Sequence, residues 1–264
     1  MHPIILELGP IMIQSMWLMA AIGIIVGGIA FIKLAKLNRL KLNFILDHSV
    51  TLIIAGIVGA RLIFIVKNYG YYLYQLDFSN ILSLLYIWDK GLSFWGGIAG
   101  ITGTLIYFCK KEKQPIHRWL DILFISAMVG MIFGNIGTFL EGSISYGKET
   151  ALPWGVKIEG PLIKYTIPIH PTQIYAAFYT LVLAITGFTV SKKHLLQKDG
   201  DIFVFGSLAY AVLRFLEEFL RGDDVIMILG LREGQIISLI AILAICIHLL
   251  IRYNKLKLPK LKRK

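Results

Sequence analysis

Seven stretches of this chain are each long and apolar enough to cross a bilayer, and that repetition limits the fold more than any single motif. They cover residues 10–32, 46–66, 92–109, 119–140, 171–190, 202–220 and 235–251. A spanning helix needs ~20 predominantly apolar residues. With a mean hydropathy of +0.71 and 56% hydrophobic residues, the chain is too apolar for a soluble domain. The expected fold is an all-α membrane protein, a bundle of seven transmembrane helices forming one polytopic domain over residues 1–264. Gly23, Gly27, Gly28, Gly56, Gly59, Gly96, Gly97, Gly100, Gly103, Gly130, Gly134 and Gly137 recur inside these runs. Small residues three and four apart let helix backbones approach closely, so most of these glycines are expected to be packing contacts.

The net charge of +11 would point to nucleic acid in a soluble chain. Here the cations lie in short loops between apolar runs, which is a membrane topology. Eighteen of the 27 basic residues follow the first, third, fifth and seventh runs, among them Lys36, Lys111, Lys192 and the tail 252–264. Seven fall on the other side, including Lys157, Arg221 and Arg232. The richer side is cytoplasmic, which puts the N-terminus outside and the C-terminus in the cytoplasm. Residues 67–91 and 143–170 are then external loops, the first carrying an aromatic belt, the second a small lid or strand pair. The basic tail lies against anionic headgroups. Cys109 and Cys246 have no metal-binding spacing and read as packing residues. No metal or cofactor is expected, and no cleavable signal peptide precedes the first run.

Charge inside the sixth run is the main chemical signal. Arg214, Glu218 and Arg221 recur at offsets of four and seven, which would align them on one helical face. A charge at the centre of a spanning helix costs ~2.5–3.5 kcal/mol on insertion scales, so it faces a partner or a cavity rather than lipid. The face fits an anionic headgroup, and equally a structural ion pair near the helix end. Arg61 fits a lipid phosphate or a pairing with Asp47. His170 fits a general base at the outer boundary, or with Gln173 a cap on the fifth helix.

In order along the chain stand Leu8-Gly9-Pro10, Gly59-Ala60-Arg61-Leu62, Ile87 to Gly97, Gly134-Asn135-Ile136-Gly137-Thr138-Phe139-Leu140-Glu141-Gly142, His170-Pro171-Thr172-Gln173-Ile174-Tyr175, Arg214 to Arg221, and Gly234-Gln235-Ile236-Ile237-Ser238. In this order they resemble the prolipoprotein diacylglyceryl transferase family over nearly the whole chain. The resemblance implies an enzyme of the cytoplasmic membrane of a bacterium. Such an enzyme moves the diacylglyceryl group of phosphatidylglycerol onto the thiol of a lipobox cysteine in a lipoprotein precursor. It implies catalytic roles for Arg214, Glu218 and His170, and lipid contacts from Arg221, Asn135, Gly134, Gly137, Arg61, Gln173 and Tyr175.

Five positions depart from the family pattern. Asn135 stands where the Gly-Arg-Ile-Gly-Asn-Phe motif has its Arg, and Thr138 where it has its Asn. Trp95 replaces the His of Ser-Phe-His-Gly-Gly, Met16 a Tyr, and Ala176 a Glu. An amide offers a neutral hydrogen bond where a guanidinium offers a charge-assisted one, roughly twice as strong. Indole accepts no proton. Transfer to an ordinary lipobox peptide is therefore expected to be slow. A paralogue using another acceptor or another anionic lipid, and a non-catalytic lipid- or partner-binding protein, are the competing expectations. The charge asymmetry gives a test of topology. Single cysteines placed at Lys111 and Lys255 should label from the cytoplasmic side and one at Lys157 from outside; same-side labelling of all three would overturn the orientation.

Overall fold

The computed structural model describes residues 4–8, 11–70, 91–142, 146–157, 167–196, 198–225 and 227–253. The expected aromatic belt between Tyr71 and Trp88, most of the first external loop, Gly160-Pro161 and the basic tail beyond Tyr253 lie outside the described residues.

Seven α-helices carry the described chain: α1 (Ser15–Leu37), α2 (Leu42–Lys67), α3 (Phe94–Lys111), α4 (Ile116–Glu141), α5 (Thr172–Lys193), α6 (Asp201–Glu217) and α7 (Glu233–Arg252). Each falls on one of the apolar runs. Five of them, α1, α2, α4, α5 and α7, are long and apolar enough to cross a membrane; α3 and α6 have 18 and 17 residues. Large apolar side chains stand exposed along the helix flanks, among them Ile24, Val50, Phe178 and Ile240. Apolar exposure on this scale marks a lipid-facing surface. The chain is a multi-pass helical membrane protein.

Two boundaries differ from the sequence expectation. The first helix starts at Ser15, because Ile11–Gln14 pairs antiparallel with Ile4–Leu8 as strands β2 and β1. Both segments are rich in Ile, whose branched side chain favours the strand. The sixth helix ends at Glu217 and tightens into a 3-10 turn over Glu218–Leu220. Arg221 is extended, with φ −80 and ψ 139, so the charged face does not continue as helix. A two-stranded hairpin, β3 (Met227–Ile228) and β4 (Leu231–Arg232), then reverses the chain and leads directly into α7. Its central residues Leu229 and Gly230 both have positive φ, 54 and 77, as a tight hairpin turn requires.

The chain groups into two compact units, Met1–Asn38 with Asp121–Lys264, and Arg39–Leu120. In the first unit α4 is the common support. A Cβ at Gly23 would lie 2.6 Å from the Gly130 carbonyl oxygen, and one at Gly27 would lie 3.0 Å from that of Ser126, so α1 rides on the α4 backbone. Gly137 meets Met16 and Met19, Gly187 meets Ile125, and Gly206 meets the Phe124 ring. The α6–α7 pair is tied at one end by Asp201, which is buried. Arg252 Nε donates to it at 3.0 Å and the Tyr253 hydroxyl at 2.9 Å. The neighbouring Asp121 carboxylate accepts from the Gly200 and Phe203 amides at 2.6 and 2.8 Å, capping the start of α6.

In the second unit α2 and α3 touch backbone to backbone, Gly59 against Gly96 and Gly100, and Gly100 against Ala55. Phe44 packs on the buried Trp119 ring, and His48 stacks on Phe108 at 3.7 Å while bonding Glu112. Arg61 donates from Nη1 to the Gly91 carbonyl at 3.1 Å and sits by the Phe64 ring. The alternative pairing with Asp47 fails on geometry: fourteen residues along one helix separate the two by roughly 21 Å.

Packing is thus the role of most of the recurrent glycines, but a Cβ at Gly28, Gly103 or Gly134 would meet nothing within 4 Å. Gly59→Ala, whose Cβ would fall 2.5 Å from the Gly96 oxygen, should destabilise the protein by ~1–3 kcal/mol as an overpacking change. Gly28→Ala should be neutral or stabilising, since Ala is the better helix former. Thermal unfolding of both variants in detergent checks the contrast.

Candidate active site

The charges expected on α6 belong to a longer network than the sequence suggested. Tyr179 on α5 donates its hydroxyl to Glu217 Oε2 at 2.8 Å. Arg214 donates from Nη1 to Glu217 Oε1 at 2.6 Å and from Nη2 to Glu218 Oε1 at 2.5 Å. Arg232 donates from Nε to Glu218 Oε2 at 2.8 Å and from Nη2 to Asp223 Oδ1 at 2.9 Å. Arg221 closes the row with two bonds to Asp223, at 2.9 and 2.8 Å. Three guanidiniums alternate with three carboxylates, and the formal charges of these six groups cancel. Glu217 and Glu218 are the most enclosed, with side chains 5% and 4% exposed, while Arg214 keeps 21%. Burial by itself would raise the Asp223 carboxyl, but the bidentate Arg221 and the neighbouring Arg232 hold it below its usual range. It stays ionised at any physiological pH.

Local structure explains why these groups meet. Arg214, Glu217 and Glu218 lie three and four residues apart across the last turn of α6, which is side-chain contact distance. The hairpin returns Arg232 to the same place. Its amide donates to Gln235 Oε1 at 3.0 Å, which fixes the start of α7. Gly234 is the second residue of α7, and a Cβ there would collide with the Glu218 carboxylate. Glu218 therefore rests against the N-terminal turn of α7, where the helix dipole favours an anion. The Gly234-Gln235 motif is thereby explained, together with Ser238, whose hydroxyl bonds the Gly234 carbonyl at 2.8 Å.

His170 is joined to this end of the unit through the backbone. Lys148 N donates to the Leu220 carbonyl at 2.8 Å, Gly222 N to that of Tyr146 at 2.9 Å, and His170 N to that of Lys148 at 2.9 Å. The segment Tyr146–Glu149 thus lies between Leu220–Gly222 and Ile169–His170, and Gly147 leaves no room for a Cβ against His170. Isolated bridges pair Glu149 and Val156 with Ile169. The His170 ring does not cap α5. Its Nδ1 lies 3.2 Å from the Tyr175 hydroxyl, which also accepts from Trp154 Nε1 at 2.8 Å. The α5 cap position is Pro171, without a side-chain cap bond.

Between α5 and α6 lies an apolar groove of about 590 Å³, lined by Ile174, Tyr175, Phe178, Tyr179, Val182 and Leu213. Tyr175 belongs to the His170 contact and Tyr179 to the Glu217 contact, so the groove runs beside both. Gln173 is buried on α5. On α4, Thr138 donates to the Asn135 carbonyl at 2.9 Å, and the Asn135 amide nitrogen is buried with no hydrogen-bond acceptor among the described residues. Gly134 leaves open space beside it on the same helix, while Gly137 is filled by α1. Arg61 and Trp95 belong to the other unit. Sequence reasoning missed Glu217, Asp223, Arg232, Tyr179 and Trp154. Glu217 is adjacent to Glu218 and could have been found at offset three from Arg214; the others meet the site only through chain reversal or helix packing.

The family profile described as prolipoprotein diacylglyceryl transferase matches residues 3–251. The chain is 32% identical over 247 residues to the phosphatidylglycerol–prolipoprotein diacylglyceryl transferase of Clostridium tetani, covering 92% of this chain and 94% of that protein. It is 32% identical to the protein of the same name from Finegoldia magna, covering 92% of this chain and 93% of that one. With that of Wolbachia pipientis from Culex pipiens it shares 31% identity over 92% of both. On the extent of these matches, the chain belongs to the prolipoprotein diacylglyceryl transferase family.

Proposed function

We propose that this protein transfers the diacylglyceryl group of phosphatidylglycerol to the thiol of a lipobox cysteine in a secreted lipoprotein precursor. The names of its relatives support this donor and a prolipoprotein acceptor. The reaction takes place at the outer face of the cytoplasmic membrane of a bacterium, with all seven helices crossing and the N-terminus outside. The observation that carries the reading is the arginine cluster beside an apolar groove, at the end of the helix pair where the external loop brings in His170.

The chemistry follows from those parts. Sulfur attacks the glyceryl carbon that bears the phosphate. The C–S bond forms, the C–O bond to phosphate breaks, and glycerol phosphate leaves. Arg214 and Arg221 hold the phosphate as charge gathers on it, which in a water-poor site is a large stabilisation. His170 accepts the thiol proton, because the thiolate is the nucleophile. Its Nδ1 contact with Tyr175 orients the ring. The acyl chains lie along the groove between α5 and α6. The unmet amide of Asn135 suits a phosphate or ester oxygen, since a buried donor without an acceptor costs ~1–3 kcal/mol. Gly134, which leaves open space on α4, and Gln173 complete the lipid contacts, and Glu218 fixes the guanidiniums.

Purified protein in phosphatidylglycerol liposomes should incorporate labelled diacylglyceryl into a lipobox peptide. Arg214→Ala should lose ~2–4 kcal/mol of transition-state stabilisation, by analogy with the loss of an oxyanion donor, while Arg61→Ala has the smaller effect. Full activity in a folded Arg214→Ala protein would make the cluster structural. Asn135→Arg combined with Trp95→His should raise turnover, because the pair restores a cation and a proton acceptor. Binding of the lipid without any transfer, by either version, would instead favour a non-catalytic member of the family.

A further inference from the structure

Arg214 is the cation with the most exposed side chain in the cluster, and both of its terminal nitrogens are already engaged by carboxylates. One of these carboxylates is fixed. Glu218 is shared with Arg232 and seated against the first turn of α7. The other is attached differently. Among the described residues, Glu217 Oε1 accepts from Arg214 and Oε2 from the Tyr179 hydroxyl, which stands on another helix and lines the apolar groove. Each terminal nitrogen of Arg214 is already turned to a carboxylate, so a phosphodiester oxygen that takes a charge-assisted bond from it must displace one of the two. A phosphate can reach Nη1 of Arg214 favourably only when Glu217 gives that position up.

We infer that Glu217 is a resident counter-anion occupying the phosphate position on Arg214, and that Tyr179 holds it when an anionic headgroup displaces it. This rests on the proposed function, and deepens it by naming what the headgroup must compete with. Glu217 sets how tightly the site takes an anion. Tyr179 lowers the cost of displacement, because its hydroxyl remains on Oε2 after Oε1 is released. The two residues therefore act on affinity with opposite signs. A purely structural pair would act with the same sign.

The test is equilibrium binding of short-chain phosphatidylglycerol by calorimetry in detergent, with transfer to a lipobox peptide measured in parallel. Glu217→Gln keeps the shape and hydrogen bonds but removes the competing charge. It should tighten binding roughly tenfold, about the worth of one charge-assisted hydrogen bond. Tyr179→Phe should weaken binding severalfold, and its effect should vanish in the double variant. Unchanged or weaker binding in Glu217→Gln overturns the inference, as does an undiminished Tyr179→Phe effect in the double variant. If Glu217→Gln does not fold, Tyr179→Phe decides alone, since it alters no charge: weaker binding supports the inference and unchanged binding overturns it. A wild-type protein that binds the lipid and transfers nothing would sink the proposed function and leave this comparison intact.

Discussion

The site depends on where one carboxylate sits. Glu218 is almost fully enclosed, it takes Arg214 on one oxygen and Arg232 on the other, and it rests on the bare backbone of Gly234 at the start of α7. Unpaired, such a carboxylate would be among the most expensive groups a membrane helix could bury. Paired as it is, it fastens the end of α6 to the beginning of α7 and fixes the direction of two guanidiniums. The far end of the same helix pair is closed by the buried Asp201 and Arg252. With both ends tied, α6 and α7 present their side chains from a rigid frame, and geometric precision at a reacting phosphate needs such a frame.

Much of this was legible in the sequence for identifiable reasons. Span-length apolar runs located all seven helices, because hydropathy over a bilayer thickness is a strong signal. Arg214 and Glu218 could be paired at offset four, because neighbours on one helix turn follow from its period alone. Arg221 was assigned to the same face for the wrong local reason. The helix has already ended at Glu217, and Arg221 joins the cluster from an extended backbone, through Asp223. Arg232 looked like an ordinary loop cation, because nothing in its neighbours states that a two-residue hairpin returns it to Glu218. Tyr179 was invisible for a similar reason: its partner stands on another helix. The glycines were read correctly as contacts in general, but only the packing separates Gly23 and Gly59, which touch backbone, from Gly28 and Gly134, which face open space.

The substitutions relative to the family pattern gain a physical setting from the same geometry. Asn135 puts a buried donor where the motif has a cation, and its amide finds no acceptor within the described fold. Ala176 lies one position after Tyr175 on α5 and is itself buried, so that helix supplies no carboxylate there. The carboxylate of Glu217 reaches α5 from α6 through Tyr179 and is paired with Arg214. The guanidiniums of the described network stand at the ends of α6 and α7 that meet at Glu218.

Alternation of sign along the row has one more consequence. An isolated cation acts over a Debye length, about 8 Å at physiological ionic strength, and draws anions in from solution. Three cations interleaved with three anions within hydrogen-bonding distance largely cancel one another beyond their immediate surroundings. Such a cluster casts little field into the aqueous phase and gives almost no long-range steering. Added salt, which weakens capture by a bare basic patch, would leave the proposed lipid recognition nearly untouched. Under the proposed function, the anionic lipid would be recognised only once it had moved within the plane of the membrane into contact with the guanidiniums.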